Sequence, residues 1–340
     1  MKEYQDIERD YCATVGLKHR KKYAQFFTPQ FIADKMGEWV VRSHTVDILE
    51  PAFGLGVFTQ SLRRKNTSLR VIGYDIDPLI VAEARSYFKG QDFVEILQQD
   101  YITSEWERTY DGIICNPPYF KFHAYDNRKD LSEIKTRLQC KLSGMTNLYA
   151  LFLLKSLSQL REKGRCAYIV PSEFLNADYG VDVKRMLLAS GTLRHVVTFK
   201  FSESVFEEVL TTVSIVLCAK DHCDRVGFTQ IDSVRDIERL GEIIDDYNSG
   251  RTTRGTRYIL SEKLEPAVKW KSYYQEQNGT QYRHLTLFSN YAKVVRGIAT
   301  GANEYFVFNK SKAVSYNIET EYLLPCICKS SDVKIPIFTS

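Results

Sequence analysis

Over roughly the first 220 residues, short apolar runs alternate with longer stretches of helical periodicity, and this rhythm restricts the fold more than any other feature. Apolar runs fall at 46–49 (VDIL), 71–75 (VIGYD), 93–97 (FVEIL), 112–115 (GIIC) and 166–171 (CAYIVP), with Val- and Thr-rich runs at 194–199 and 212–219. Helical patterns lie between them at 57–64, 80–88 and 147–162, the last closed by Lys163 and Gly164. Strands that alternate with helices predict βαβ units and an α/β, doubly wound fold. Right-handed crossovers then place helices on both faces of a mostly parallel sheet, here of seven strands.

After about Asp224 the character changes. Residues 225–281 are polar and turn-rich, with DDYNSGRTTRGTRY in their middle, and read as a connection. From Tyr282 the chain becomes β-like and aromatic again. The expected division is residues 1–224 as one α/β domain, 225–281 as a connecting region and 282–340 as the start of a further domain. The composition, 44% hydrophobic and 26% charged over 340 residues, fits a soluble globular protein. A net charge of +4 excludes a chain that coats nucleic acid along its whole length. Charge is concentrated instead in Lys18–His19–Arg20–Lys21–Lys22 and in Arg251, Arg254 and Arg257. The eight cysteines show no zinc-ligand spacing, which suits reduced thiols and a cytoplasmic protein. No apolar run approaches the length of a membrane helix, and the first residues lack a secretory signal.

Four of the strands end in polar groups. Glu50 closes the first and is followed by Pro51, Ala52, Phe53, Gly54, Leu55 and Gly56. Asp75 closes the second, Asp100 follows the third and Asn116 the fourth. In an open α/β sheet these positions share the crevice beyond the carboxyl ends of the strands. Gly54-x-Gly56 resembles a dinucleotide fingerprint, but Thr59 stands where the third glycine would be. Glu50 would moreover repel a pyrophosphate. An acidic first loop suits a ligand with positive charge and hydroxyls, and S-adenosyl-L-methionine has both, in its sulfonium, amine and ribose diol. Asp75 is then placed to accept from the ribose, Asp100 from the adenine amino group, with Ile76 and Tyr101 over the ring faces.

The stretch DGIICNPPY, residues 111–119, drives an apolar strand into Asn116, Pro117, Pro118 and Tyr119. Neither proline can donate to a ladder, so the strand ends there. An amine conjugated to an aromatic base is a poor nucleophile, because its lone pair is delocalised. Two acceptors aimed at its N–H bonds tilt it towards tetrahedral geometry. The Asn116 side-chain carbonyl and the Pro117 backbone carbonyl can be those acceptors, held ready by rigid backbone. Tyr119 can stack on the base, and transfer becomes a direct displacement assisted by orientation.

EPAFGLG, GYDIDP, QQDY and CNPPY, in that order, resemble motifs I to IV of the amino-methyltransferases. QFFTP at 25–29 resembles their motif X, and VFEEVLTTVSIVL at 205–217 their motif VIII. This order is similar to that of the gamma-class N6-adenine DNA methyltransferases of restriction–modification systems. The resemblance implies a Rossmann-like S-adenosylmethionine-dependent methyltransferase fold over about residues 20–220. It implies that Thr28, Glu50, Ala52, Phe53 and Gly54 line the methionine side of the cofactor pocket, that Asp75 holds the ribose, and that Asp100 and Pro118 bracket the adenine. Asn116, Pro117 and Tyr119 would act on the target base, and Phe206 would stack on its opposite face. VVRGIATGANEYFVF resembles the opening of the family's target-recognition region, so residues 282–340 would be an incomplete part of one.

The implied activity is site-specific methylation of adenine in double-stranded DNA, with the base flipped out of the helix. The implied partners are double-stranded DNA and either a cognate restriction endonuclease or a polypeptide that completes the recognition domain, with no membrane. The Lys18–Lys22 run and the loop 120–142, with His123, Arg128 and Lys129, are the candidate DNA contacts. Other readings of the same motif are a methyltransferase for RNA or for a protein glutamine, or a DNA-recognition subunit without catalysis. The chain alone is expected to fold and bind cofactor, with reduced or absent site-specific activity.

Overall fold

The structure is a computed structural model that describes residues 4–119, 136–137, 147–199, 212–233, 236–274, 285–286, 288–293 and 303–324. The chain divides into two compact units, Met1–Gln277 and Asn278–Ser340.

The first unit is built on a sheet whose described strands, in chain order, are β1 (Asp47–Glu50), β2 (Arg70–Asp75), β3 (Val94–Gln98), β4 (Tyr110–Cys115), β5 (Leu160–Pro171), β6 (Leu193–Phe199), β7 (Val213–Ala219), β8 (Arg225–Ile231) and β9 (Arg257–Leu260). Their spatial order is β3-β2-β1-β4-β5-β7-β6-β8-β9. β1 to β5 are mutually parallel. β7 enters antiparallel between β5 and β6. The order reverses between β1 and β4, where crossovers leave in opposite directions and a crevice opens.

Alternation along the strands feeds two cores, one on each face. Ile48, Val71, Ile114, Ala167 and Ile169 face one core, and Leu49, Ile72, Ile113, Tyr168 and Val170 the other. The first core is covered by helices Gln30–Val40, Val57–Lys65, Pro78–Tyr87 and Glu238–Asn248, and the second by Leu148–Ser158 and Gly180–Ala189. Both faces being covered explains why the strands read as continuous apolar runs.

Two expectations are corrected. The sheet has nine strands among the described residues, not seven. The stretch expected to be a connection supplies the extra pair: β8 runs parallel to β6, and β9 pairs with β8. Polar residues such as Gln230 and the shortness of four-residue β9 disguised them, although Val226, Phe228 and Ile231 are buried; DDYN of the expected turn closes the helix Glu238–Asn248. The helix expected over 147–162 ends at Ser158, and β5 starts at Leu160; Lys163, expected to close the helix, lies within the strand at φ 64°.

In the second unit the described elements are short. The helix Lys310–Ser315 is capped by Asn309, whose side chain accepts from the Lys312 N–H at 2.8 Å.

Candidate active site

A cavity of about 510 Å³ lies beyond the carboxyl ends of β1, β2 and β4. It is lined by Glu50, Ala52, Phe53 and Gly54 after β1, by Asp75 and Ile76 after β2, by Asp100 and Tyr101 after β3, and by Asn116 and Pro118 after β4. A further wall comes from residues 22–28, between the short helix Leu17–Lys22 and the helix starting at Gln30.

Local rules explain the turn after β1. Gly56 stands at φ 81°, a left-handed conformation that glycine adopts without strain, and it opens the helix Val57–Lys65. Phe53 folds back over β2, where a Cβ on Gly73 would come within 2.0 Å of its ring. Only a glycine at 73 allows that approach, so the Phe53 wall depends on it.

Glu50 is 0% exposed. Its Oε2 accepts from the Thr59 N–H at 3.1 Å and from Thr59 Oγ1 at 2.6 Å. Its other oxygen, Oε1, is buried without a hydrogen-bond partner. Burial raises the carboxyl well above the usual carboxylate range, against the pull of the Thr59 bonds. Thr59, which in the sequence only marks a missing glycine, therefore orients the buried acid.

Asp75 Oδ2 accepts from the Gly54 N–H at 2.9 Å, and Oδ1 from the Asp77 N–H at 3.1 Å. Burial pushes this carboxyl up to about 6 from an ordinary 3.8, while the backbone donors oppose the rise. A carboxylate has about four acceptor positions, and the backbone donors from Gly54, Ile76 and Asp77 leave room for a ribose hydroxyl. Ile76 is 47% exposed beside it at the rim. Tyr101 is buried, with its hydroxyl donating to Gln159 Oε1 at 2.7 Å. The loop bearing Asp100 and Tyr101 is braced from below by buried Lys155, whose Nζ donates to the Tyr101 carbonyl at 2.5 Å and to the Ser104 carbonyl at 3.0 Å. Burial lowers the Lys155 amine to about 7.

Asn116 Nδ2 donates to the Phe26 carbonyl at 3.0 Å and to Thr28 Oγ1 at 3.1 Å. Its Oδ1 accepts from the Tyr119 hydroxyl at 2.8 Å. The Tyr119 ring lies beside Phe26 with centroids 6.2 Å apart and edge-on to Tyr149 at 6.3 Å. Neither Pro117 nor Tyr119 is among the residues that line the cavity.

Asp77 is a functional residue to which no motif in the sequence gives a role. It is buried and caps the helix Pro78–Tyr87 by accepting from the Leu79 N–H. Its Oδ2 also gathers the N-terminal segment: Gln25 Nε2 at 2.5 Å, His19 Nε2 at 2.8 Å and Tyr11 Oη at 3.3 Å. Asp77 thereby pins the wall 22–28 to the end of β2. The basic run is split: His19 turns inward to Asp77 and Arg20 is buried, while Lys18 and Lys21 are exposed. Phe206 and loop 120–142, apart from residues 136–137, lie outside the described residues. Among the described residues no cluster could hold a metal ion, and no helix is long and apolar enough to cross a membrane.

A sheet reversing between β1 and β4, an antiparallel β7 and an acid-lined crevice define the S-adenosylmethionine-dependent methyltransferase fold found in restriction–modification enzymes. The sheet carries the methyltransferase subunit of a type I restriction–modification system from Streptococcus thermophilus as a structural neighbour, with a TM-score of 0.60 and 18% identity, covering 70% of this chain and 56% of that one. Residues 57–206 match the model of the Eco57I restriction-modification methylase family. It is 52% identical over 98% of its length to the Type II methyltransferase M.AccI of Acinetobacter calcoaceticus, and 29% identical over 64% of its length to the Type II methyltransferase M.HincII of Haemophilus influenzae. The chain spans 62% of the first relative and 42% of the second.

Proposed function

We propose that the chain is the catalytic part of a restriction–modification DNA methyltransferase that methylates the N6 amino group of adenine, using S-adenosyl-L-methionine. One observation carries the reading. An asparagine whose amide is fixed with its oxygen turned away from residues 26–28 stands in the same cavity as the buried carboxyl of Glu50 and the half-buried carboxyl of Asp75.

The residues present fit the cofactor. Unpartnered Glu50 Oε1 suits a cationic group, and Asp75 has room left for a ribose hydroxyl. Ile76, Tyr101 and Pro118 offer apolar surface to a flat ring, and Asp100 stands beside them. The bound cofactor would supply a methyl group on a sulfonium, with a thioether as the leaving group. Asn116 Oδ1 has a second lone pair besides the one engaged by Tyr119, and with the Pro117 carbonyl it would draw on the two N–H bonds of the target amine. The amine nitrogen bonds to the methyl carbon as the carbon–sulfur bond breaks, and the amine then loses a proton to solvent. Tyr119 would stack on the base after leaving its place beside Phe26. Phe206 would take the opposite face, and residues 282–340 would begin the target-recognition region.

The relatives' names support restriction–modification methylation as the setting. Double-stranded DNA is the proposed substrate, and a restriction endonuclease the proposed partner. Labelled S-adenosylmethionine and plasmid DNA provide the test. Label recovered as N6-methyladenine is the expected result; N4-methylcytosine, or label in RNA or on a protein glutamine, would overturn it.

A further inference from the structure

We infer that Thr28, with the Phe26 carbonyl, is a positioning residue for the Asn116 amide, so that the wall facing the cofactor also orients the acceptor facing the target. The inference rests on the functional reading above. A primary amide can present either end, and its two orientations have nearly the same shape. The Phe26 carbonyl can only accept, so the end of Asn116 that meets it at 3.0 Å must be the NH2. The same NH2 reaches Thr28 Oγ1 at 3.1 Å. Both amide protons are thus engaged on one side, and Oδ1 is forced to the other, where it meets the Tyr119 hydroxyl.

Thr28 is suited to the task. It is 3% exposed and lines the cavity. Pro29 follows it and opens the helix Gln30–Val40, which is sunk in the core through Ile32, Met36 and Trp39. The residue before a proline is held extended, so Thr28-Pro29 is as stiff as Asn116-Pro117-Pro118 opposite. Two polar residues, each fixed by a proline, therefore face each other across 88 positions of sequence.

The hydroxyl accepts from Asn116 and keeps its own proton to donate. A ligand acceptor in the cavity that takes this proton strengthens Thr28 as an acceptor. Amides that donate both protons carry more negative charge on oxygen, so the effect passes to Oδ1. Cofactor occupancy and acceptor strength at the target amine are in this way coupled through one side chain.

The test compares Thr28→Val, which matches the shape but cannot accept, with Thr28→Ser, which can, in the full chain. The Asn116 side-chain amide resonances, assigned by their loss in Asn116→Asp, should show two protected protons in wild type and in Thr28→Ser. In Thr28→Val one should exchange rapidly with solvent. Titration calorimetry should show cofactor affinity falling less than turnover does, and turnover should fall about 10–100-fold in Thr28→Val and recover in Thr28→Ser. Where valine lowers the melting temperature, Thr28→Cys replaces it as the weak acceptor. Unchanged amide exchange in Thr28→Val would overturn the inference, as would turnover lost only in proportion to cofactor affinity. Altered amide exchange in Thr28→Val, in a protein whose wild type places label from S-adenosylmethionine on RNA, on cytosine or on a protein glutamine, would uphold the Thr28 contact and sink the functional reading instead.

Discussion

At the acidic end of the cavity each side chain is held by groups close in sequence or on the adjoining strand turn. Glu50 is fixed by Thr59, nine residues on, and Asp75 by the N–H groups of Asp77 and Gly54. At the other end Asn116 is fixed by Phe26 and Thr28, 90 and 88 residues away. The acidic end therefore forms with the first βα units, whereas the amide end exists only once the N-terminal segment has docked. Binding of cofactor and activation of the target amine should be separable by mutation, even though one cavity serves both.

Asn116→Ala is the strongest test of that separation. Loss of one preorganised hydrogen-bonding group should cut turnover about 10²–10³-fold. Calorimetry should still show cofactor affinity near wild type. If affinity collapses along with turnover, the two ends are not independent. Asp77→Ala attacks the docking itself. It removes a helix cap and strands Tyr11, His19 and Gln25, for a loss of about 3 kcal/mol in chemical denaturation. Its turnover should suffer more than its cofactor affinity, because the released wall carries Phe26 and Thr28. Equal losses in the two would mean that the N-terminal segment serves the cofactor alone.

The same contrast accounts for what could be read in the sequence. Glu50, Asp75, Asp100 and Asn116 were legible because each ends or follows a strand of a parallel sheet, and such ends must converge. Asp77 looks like an ordinary helix cap, which it also is, and nothing local reveals that Tyr11, 66 residues earlier, reaches it. Thr59 looked like a failed glycine, because its use depends on how a buried acid turns. β8 is hard to read because Thr229 and Gln230 dilute its apolar run, and Phe228 is buried by Trp270 and Tyr273, more than 40 residues on. Side-chain pairs distant in sequence are set by the finished packing, not by any local period.

Gly73→Ala tests the acidic end from within. The added methyl would sit 2.0 Å from the Phe53 ring, so the ring must shift. Overpacking of this kind costs about 1–3 kcal/mol. The displaced Phe53 lines the acidic end, so cofactor affinity should fall while turnover at saturating cofactor stays near wild type. A turnover defect with intact affinity would place Phe53 with Asn116 instead.

The smallest expected effect is a pH dependence of opposite sign in two measurements. The Asp75 carboxyl is raised to about 6 from 3.8, so the folded chain holds this proton more tightly than the unfolded chain does. Between those values the unfolded state ionises first, and the contribution of Asp75 to stability falls as pH rises, levelling off above about 6. Glu50, also raised by burial, acts in the same direction. Cofactor binding should run the other way, since the ionised carboxylate is the better acceptor for a diol. With a midpoint of about 6, affinity should rise about tenfold between pH 5 and 7. Asp75→Asn should remove its share of the stability slope and flatten the affinity profile together. A flat affinity profile in wild type would mean that the backbone N–H groups already use all that Asp75 offers, and the ribose would then need another partner in the cavity.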